Sequence, residues 1–224
     1  MVARRTKEEA LATRNRLLDA AELLFQAQGV SQTTLQQIAQ QAGATRGAIY
    51  WHFKDKADLF NAMMERVILP LEAGPRAAAV AVGTDDPLAE IEDGMVHALN
   101  LMATDPQVRR VFDVATHKVE YTHDMASVQQ RHLDARNACV VDFEKALRLA
   151  ARRGHIKLPV PGYVAAQGLH ALISGLIQNW LLDPEAFELV PTGRRTFRVY
   201  LAGLGFVRPQ PGAPVAGEPE TLAA

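Results

Sequence analysis

Residues 33–56 read TTLQQIAQQAGATRGAIYWHFKDK, and this stretch predicts two short helices joined by a tight turn. Thr33 and Thr34 can cap the first helix, because Gln36 and Gln37 follow them at the spacing of a capping box. The apolar positions of that helix recur at intervals of three and four residues and are Leu35, Ile38, Ala39 and Ala42. This spacing gives a short helix one buried face.

The second helix follows a glycine turn. Gly43 suits the end of the first helix, because glycine readily adopts the positive φ of a tight C-cap. Thr45 is placed to cap the second helix, whose Ala48, Ile49 and Phe53 can point inward. The positions left on its outer face are Thr45, Arg46, Gly47, Tyr50, Trp51 and His52.

The chemistry of this outer face favours DNA, because it carries many hydrogen-bond donors and no acid. An arginine such as Arg46 can make a bidentate contact with guanine in the major groove, whereas hydroxyls, the indole N–H and lysines reach phosphates. Gly47 would let the backbone come close to the duplex. We predict DNA contacts from Thr33, Thr34, Thr45, Arg46, Gly47, Tyr50, Trp51, His52, Lys54 and Lys56. The same stretch is also compatible with a solvated helical hairpin whose aromatic side chains lie in its own core.

At these residues the chain resembles the TetR family of transcriptional regulators, whose pattern is TT-x-x-x-IA-x-x-AG-x-(S/T)-x-G-x-(I/L)Y-x-HF-x-x-K-x-x-L. The positions in register are Thr33, Thr34, Ile38, Ala39, Ala42, Gly43, Thr45, Gly47, Ile49, Tyr50, His52, Phe53, Lys56 and Leu59. The run TRGAIYWHFKDKADLF, residues 45–60, is similar more narrowly to the AcrR-type regulators of drug-efflux pumps. The resemblance implies a homodimeric repressor that binds a palindromic operator in double-stranded DNA. It also implies a C-terminal bundle with a pocket for an apolar or amphipathic inducer, whose binding changes the spacing of the two DNA-binding heads.

The composition is that of a globular protein with enough apolar residues for a core. Of the 224 residues, 48% are hydrophobic and 22% are charged, and no apolar run approaches the roughly 20 residues of a membrane span. The first residues lack the apolar core of a signal peptide, and the single cysteine, Cys139, cannot form an intramolecular disulfide. We therefore expect a cytoplasmic protein.

The distribution of charge says more about DNA than its sum. The net charge of −1 taken alone argues mildly against a nucleic-acid binder. Residues 1–56, however, hold eight basic side chains against five acidic ones, an excess of about +3. The basic surface is therefore expected in the N-terminal quarter.

No stretch alternates apolar and polar residues over any length, so we predict an all-α fold of about nine helices. The expected domains are a DNA-binding helix-turn-helix head at 1–56, a ligand-binding and dimerisation body at 57–207 and a disordered tail at 208–224. A linker without clear periodicity is expected at 72–86.

The helix boundaries are predicted from caps and breaks. The first helix should begin at Thr6, with Arg4 and Arg5 before it as a flexible basic arm. Asp86-Pro87 and Asp105-Pro106 each match an N-cap followed by proline at the first helical position. The helices expected in the body are 87–104, 106–116, 124–153, 163–182 and 192–207.

The segment at 163–182 is apolar on most sides, which predicts burial both inside the domain and against a partner. The run GLIQNWLLDPEAFEL, residues 175–189, also resembles the AcrR-type C-terminal domain, whose last two helices pair across a two-fold axis. The dimer interface suggested in this way comprises Leu169, Leu176, Trp180, Phe197 and Leu201.

A ligand pocket is expected where thioethers, aromatic rings and isolated polar groups mix within the body. Such a lining suits loose recognition of varied apolar compounds. The candidates are Met95, Leu99, Phe112, His117, Cys139, Phe143 and Ile173. The alternative for each polar member is an exposed position beside an ordinary core.

Catalytic and metal sites lack support in the sequence. His117 and His123 are six residues apart, and no zinc-binding spacing such as HEXXH occurs. Cys139 and His132 could share a helix face, but no third group completes a nucleophilic site. We expect no enzyme, no metal and no cofactor. The functional alternatives are a DNA-binding dimer without an inducer, and a helical carrier or enzyme in which the N-terminal motif has no role.

Overall fold

The computed structural model describes residues 2–72 and 86–206, with side chains described over 7–68 and 86–206. These residues form nine α-helices, a short 3-10 turn at His123–Met125 and no β-strand, which confirms the all-α prediction. The helices are α1 (Val2–Gln28), α2 (Leu35–Gln41), α3 (Arg46–His52), α4 (Lys56–Glu72), α5 (Pro87–Thr104), α6 (Pro106–His117), α7 (Ala126–Arg153), α8 (Gly162–Leu182) and α9 (Leu189–Gly203). The predicted tail at 208–224, and the predicted linker apart from Glu72 and Asp86, lie outside the described residues.

The two predicted Asp-Pro caps are confirmed. The Asp86 carboxylate accepts the amides of Leu88 and Ala89, each at 3.0 Å, and thereby begins α5. The Asp105 carboxylate accepts the amides of Gln107 at 2.8 Å and Val108 at 3.2 Å and begins α6. Each cap satisfies backbone donors that have no partner inside the helix.

Two helix starts differ from the prediction. Helix α1 begins at Val2, so Arg4 and Arg5 belong to its first turns and do not form a separate arm. Helix α9 begins at Leu189 and contains Pro191 in its first turn. Proline is tolerated there because the amide it lacks would have had no helical partner.

Helix α4 connects the head to the body. It begins directly after α3 and packs against α1 on one side and against α6 and α7 on the other. Its fully buried side chains include Leu59, Phe60 and Met63, and the Phe60 ring lies 6.1 Å from the ring of Phe25 in α1. The first four helices therefore share one continuous core with the body.

A buried carboxylate links three of these helices. Glu22 of α1 is 1% exposed; its Oε1 accepts a hydrogen bond from Gln107 Nε2 of α6 at 2.9 Å. Arg66 Nη1 of α4 lies 3.4 Å from the same oxygen, and Arg110 Nη1 of α6 lies 3.7 Å from Oε2. Burial raises the pKa of the Glu22 carboxyl, and the Gln107 hydrogen bond and the Arg66 charge oppose that rise. Glu22 thus fixes how α6 and α4 sit on α1.

Replacing Glu22 tests this linkage. Glu22→Ala should lower the free energy of unfolding by about 2 kcal/mol, because it opens a cavity, leaves the Gln107 amide donor without its acceptor and removes the charge opposite the Arg66 guanidinium. Asp19→Ala is the matched control, since Asp19 also binds Arg66, at 2.7 Å, but is 57% exposed. It should cost less than about 1 kcal/mol, as exposed ion pairs do. Urea unfolding followed by circular dichroism measures both, and equal losses would contradict the role given to Glu22.

Candidate nucleic-acid interface

Side-chain caps begin both helices of the head motif. Thr34 and Gln37 form the reciprocal capping box of α2: Gln37 N–H donates to Thr34 Oγ1 at 3.2 Å, and Thr34 N–H donates to Gln37 Oε1 at 2.8 Å. Thr45 Oγ1 accepts the Ala48 amide at 3.2 Å and begins α3. Such caps are each worth about 1 kcal/mol, which matters in helices of seven residues.

The turn between α2 and α3 is closed by glycine. Gly43 has φ +63°, the left-handed conformation expected for it, and the next amide, Ala44 N–H, donates to Ala39 O at 2.9 Å. Ile38 of α2 and Ile49 of α3 are completely buried beneath the turn. Their burial presents the opposite face of α3 to solvent.

That exposed face carries Arg46, Tyr50 and Trp51. Tyr50 is 51% exposed and Trp51 is 74% exposed, so these aromatic rings do not form the core of a hairpin, and that alternative is wrong. The Arg46 guanidinium lies 5.9 Å from the centre of the Tyr50 ring, and the Trp51 ring meets the His52 ring edge-on at 4.5 Å. The arrangement leaves an arginine and two aromatic edges available to a partner.

The charges around α3 also fit a polyanion. Helices α2 and α3 contain no acidic residue. The next acids along the chain, Asp55 and Asp58, accept backbone amides at the start of α4: Asp58 Oδ2 accepts the Lys54 amide at 2.9 Å, and Asp55 Oδ1 accepts the Asp58 amide at 2.8 Å. Burial lowers the pKa of His52, and the nearby Arg14 charge lowers it further. His52 is therefore neutral at pH 7 and can act as a hydrogen-bond donor, but it adds no charge there.

Two of the predicted DNA contacts are corrected. Thr33 is completely buried: its hydroxyl donates to Gly29 O at 2.7 Å and accepts from Gln28 Nε2 at 3.1 Å. Lys56 is half-buried, and its Nζ donates to Val30 O at 2.8 Å and to Ser31 O at 3.3 Å. Both side chains hold the turn before α2, so neither is directed at a phosphate. The other eight predicted positions lie on the surface, with His52 half-buried.

The predicted ligand residues lie in the body, and none of them lines either of the two surface clefts found there. Met95 is buried and Leu99 completely so, and Leu99 Cδ1 occupies the space that a Cβ on Gly193 would need, which makes Leu99 a core residue. His117 Nδ1 lies 3.0 Å from Asp113 Oδ1 and is already paired. The other four, which are half-buried, are Phe112, Cys139, Phe143 and Ile173. Two surface clefts in the described part of the body are lined by other residues, one by Trp180 and the 184–191 segment and one around Arg148 and Arg152.

Sequence patterns missed four buried polar atoms that have no hydrogen-bond partner among the described residues. Arg66 Nη1 on α4 still faces the Glu22 carboxylate at 3.4 Å, whereas Asn61 Oδ1 on α4, His97 Nε2 on α5 and Arg136 Nε on α7 have no such ion pair. A buried polar atom without a partner is costly, so Asn61, His97 and Arg136 are candidates for contact with a ligand or a water molecule. In a sequence, the signal for such an atom is a polar residue on an otherwise apolar face of a helix.

The predicted dimer residues are mostly core residues of the protomer. Leu169, Trp180, Phe197 and Leu201 are all buried within the chain, and the Arg109 guanidinium covers the Trp180 ring at 5.0 Å. Only Leu176 remains partly exposed. When a helix is apolar on all sides, its sequence does not show which side packs inside its own domain and which side faces a partner. The apolar side chains actually exposed on α8 and α9 are Tyr163, Val164, Leu182 and Val199.

The described residues offer little to other classes of site. They contain no group of three His, Cys, Asp or Glu side chains arranged to hold a metal ion. No helix in residues 2–72 or 86–206 combines the length and the apolar character that a membrane crossing requires.

Comparison with known proteins identifies the family. The pattern of the bacterial regulatory proteins of the tetR family matches residues 17–63, and that of the C-terminal region of MAATS-type transcriptional repressors matches residues 86–205. The HTH-type transcriptional repressor BepR of Brucella suis is 38% identical over 201 residues, which cover 90% of this chain and 96% of BepR.

Solved structures agree with this assignment. NalD, described as the secondary repressor of the MexAB-OprM multidrug efflux pump in Pseudomonas aeruginosa, superposes with a TM-score of 0.79 at 34% identity and covers 88% of this chain and 98% of its own. The complex of SmeT, a repressor from Stenotrophomonas maltophilia, with triclosan superposes with a TM-score of 0.74 at 31% identity, covering 93% and 100%. The chain described above belongs to the TetR family of bacterial transcriptional regulators.

Proposed function

We propose that the protein is a ligand-responsive repressor that binds a palindromic operator as a homodimer and is released by apolar or amphipathic small molecules. The exposed, acid-free face of α3 carries this proposal. The operon it controls encodes a drug-efflux pump, as the likeness to NalD and SmeT suggests. Because its target is bacterial DNA, the protein acts in the cytoplasm.

Each surface residue that was predicted to contact DNA has a role in this proposal. Arg46, at the first turn of α3, reads a guanine edge in the major groove, and Gly47 next to it admits the DNA backbone. The phosphate contacts come from Thr34, Thr45, Tyr50, Trp51, His52 and Lys54. Residues 1–56 form the DNA-binding domain and 57–207 the ligand-binding and dimerisation domain, with α4 joining them.

The outer faces of α8 and α9 form the proposed dimer interface. On α8, Val164, Ala171, Gly175 and Leu182 follow one another at helical spacing, and the small residues among them allow another helix to come close. Val199 of α9 is 73% exposed and adds an apolar side chain from the second helix. Together these positions present an apolar surface from the two final helices.

The ligand pocket is proposed from the buried polar atoms. Asn61, His97 and Arg136 supply unpaired hydrogen-bonding atoms on three helices that pack against one another, α4, α5 and α7. The half-buried rings of Phe112 and Phe143 and the side chain of Ile173 supply apolar contacts. Triclosan, an apolar compound with one hydroxyl, is the ligand of SmeT and a suitable first probe.

A second candidate function is a DNA-binding dimer that has no inducer. It is favoured by the positions of the two described clefts, neither of which is lined by a predicted ligand residue. A ligand titration distinguishes the ligand-responsive repressor from the inducer-free dimer.

The reading role of Arg46 can be tested on a duplex selected by the protein from a random pool. Arg46→Ala should cost about 1–3 kcal/mol on that duplex and relax the preference at one symmetric base pair. Lys54→Ala, the control, should weaken selected and random DNA alike and reduce the salt slope by about one unit. Fluorescence anisotropy measures both. Equal losses on both DNAs for Arg46→Ala would contradict base reading, and failure to select any sequence would remove the repressor proposal.

The dimer can be tested with a matched pair of substitutions. Val199→Glu should give a folded monomer, because the charge lies on the exposed face and would be desolvated only in a dimer. Trp180→Glu should instead unfold the protein, since Trp180 is buried within the protomer. Light scattering after gel filtration gives the mass, and circular dichroism gives the helix content. A Val199→Glu dimer of unchanged dissociation constant would place the interface elsewhere.

The ligand response can be tested with triclosan. Calorimetry should show that triclosan binds the wild type. For triclosan to weaken operator binding tenfold, it must bind the released state of the protein more tightly than the DNA-bound state by about 1.4 kcal/mol. Asn61→Leu should weaken triclosan about five- to tenfold without destabilising the free protein, because it removes an unpaired buried acceptor. Asn100→Leu, on the exposed side of α5, is the control. If no panel of hydrophobic antibiotics, dyes and plant phenolics binds, or if binding leaves operator affinity unchanged, the inducer-free dimer replaces this proposal.

A further inference from the structure

We propose that the body binds amphipathic carboxylic acids in their ionised form, and that Arg136, His132 and His170, on the neighbouring helices α7 and α8, hold the carboxylate. Arg136 belongs to the ligand pocket proposed above, so this inference rests on that proposal. The charge preference is a property of the protein without DNA and can be measured separately from operator release.

Arg136 lies half-buried in α7 without an acidic partner. Its Nη2 donates to the Asn137 side-chain oxygen at 2.9 Å, and its buried Nε has no hydrogen-bond partner among the described residues. Other arginines of α7 are paired: Arg131 Nη1 lies 2.9 Å from Glu65 Oε1, and Arg148 Nη2 lies 2.6 Å from Glu144 Oε1. A partly desolvated guanidinium without a counter-charge is unfavourable, so Arg136 is suited to receive an anion from outside the chain.

Two histidines place further positive potential beside Arg136. His132 precedes Arg136 by one turn of α7, and His170 lies on α8, which packs against α7. Burial lowers the pKa of His170, and the charges of Arg136 and His132 lower it further. No carboxylate of the described residues shifts the pKa of His170 in the opposite direction. Helices α7 and α8 therefore form a positive site that no acid of the described chain neutralises.

Hydroxyl groups lie beside both imidazole rings. The Tyr121 hydroxyl oxygen lies 3.1 Å from His132 Nδ1, and Ser174 Oγ lies 3.4 Å from His170 Nδ1. A hydroxyl that donates to Nδ1 leaves the proton of a neutral imidazole on Nε2, where it can be donated to a ligand. Tyr121 and His132 are exposed, so the site is open to solvent on that side.

The charge of the site matches a monoanion. His170, whose pKa is lowered, is neutral at pH 7, so the permanent charge is that of the Arg136 guanidinium. A guanidinium binds the two oxygens of a carboxylate with parallel hydrogen bonds, and the histidine N–H groups can add to them. A single permanent positive charge balances a carboxylate better than it balances a phosphate dianion.

Apolar side chains continue from the site along both helices. On α7, Cys139 and Phe143 follow Arg136 by three and seven residues and therefore share its side of the helix. On α8, Ile173 follows His170 by three residues. All three of these side chains are half-buried, and all three are predicted ligand residues. A ligand held here meets charge at one end and apolar side chains at the other, which suits an amphipathic acid.

The charge preference can be measured with two probes of nearly the same shape. Ibuprofen is an ionised carboxylic acid at pH 7, whereas its primary amide is neutral. Calorimetry on the DNA-free protein should give ibuprofen a dissociation constant at least about tenfold lower than that of the amide, because only the carboxylate receives hydrogen bonds assisted by both charges. Equal affinities, or no binding of ibuprofen, would overturn the proposal.

Substitutions assign the preference to Arg136. Arg136→Gln should bring the two affinities within about twofold of each other, whereas Arg136→Lys keeps a charge and should retain a preference of at least about threefold. Arg148→Gln, on the same helix but paired with Glu144, is the matched control and should keep the full preference. Circular dichroism gives the helix content of each variant. A full preference in folded Arg136→Gln would overturn the assignment.

His170→Phe provides a second variant that leaves Arg136 in place. It removes an N–H donor, keeps an aromatic ring and should lower the preference for ibuprofen about threefold. An unchanged preference in both His170→Phe and Arg136→Lys, with Arg136→Gln unfolded, would likewise overturn the assignment.

Operator binding separates this proposal from the ligand response. If ibuprofen binds with the stated preference but leaves operator affinity unchanged, the carboxylate site is supported and the ligand response to this compound is contradicted. If triclosan releases the operator while ibuprofen and its amide bind equally, the ligand response is supported and the carboxylate site is overturned.

Discussion

A backbone hydrogen bond from the Val30 amide to the Lys118 carbonyl ties the DNA-binding head to the body. Both atoms belong to the backbone, so the bond survives changes of side chain, and Val30 is itself buried. Lys56 reinforces it, because its Nζ donates to the carbonyl oxygen of the same residue, Val30. A seven-residue reading helix has little stability of its own, and its orientation is set by these tertiary contacts.

The buried Glu22 carboxylate complements that bond. Ion pairs of this kind are seldom strongly stabilising, because removing the charges from water costs about as much as their attraction returns. Their geometry is nevertheless demanding, since a shift of α6 along α1 would separate Glu22 from Gln107 and Arg110 together. Glu22 therefore sets the register of α6 and α4 on α1.

Local signals in the sequence predicted the local structure. The caps at Thr34, Thr45, Asp86 and Asp105 and the turn at Gly43 were all readable, because each depends on a side chain and on backbone within three residues of it. The exposed face of α3 followed from the same short-range spacing. The all-α class followed from the absence of alternating patterns.

Contacts between distant segments could not be predicted in this way. Thr33 and Thr34 both fit a capping box, and only packing against Gln28 and Gly29 decides that Thr33 turns inward. Lys56 fitted a phosphate contact until its carbonyl partners 25 and 26 residues away were known. Trp180 and Leu169 were predicted to lie in a dimer interface because α8 is apolar on several faces. In the structure both side chains are buried within their own chain, which the hydrophobic pattern of α8 alone could not show.

We propose that ligand and operator favour different placements of the two heads of the dimer. Spin labels on Gln40→Cys, an exposed site on α2, in a Cys139→Ser background would report the distance between the heads by pulsed electron paramagnetic resonance. We expect a narrow distance distribution with operator DNA and a displaced one with triclosan, and the free protein should sample both. The same distribution under all three conditions would contradict it.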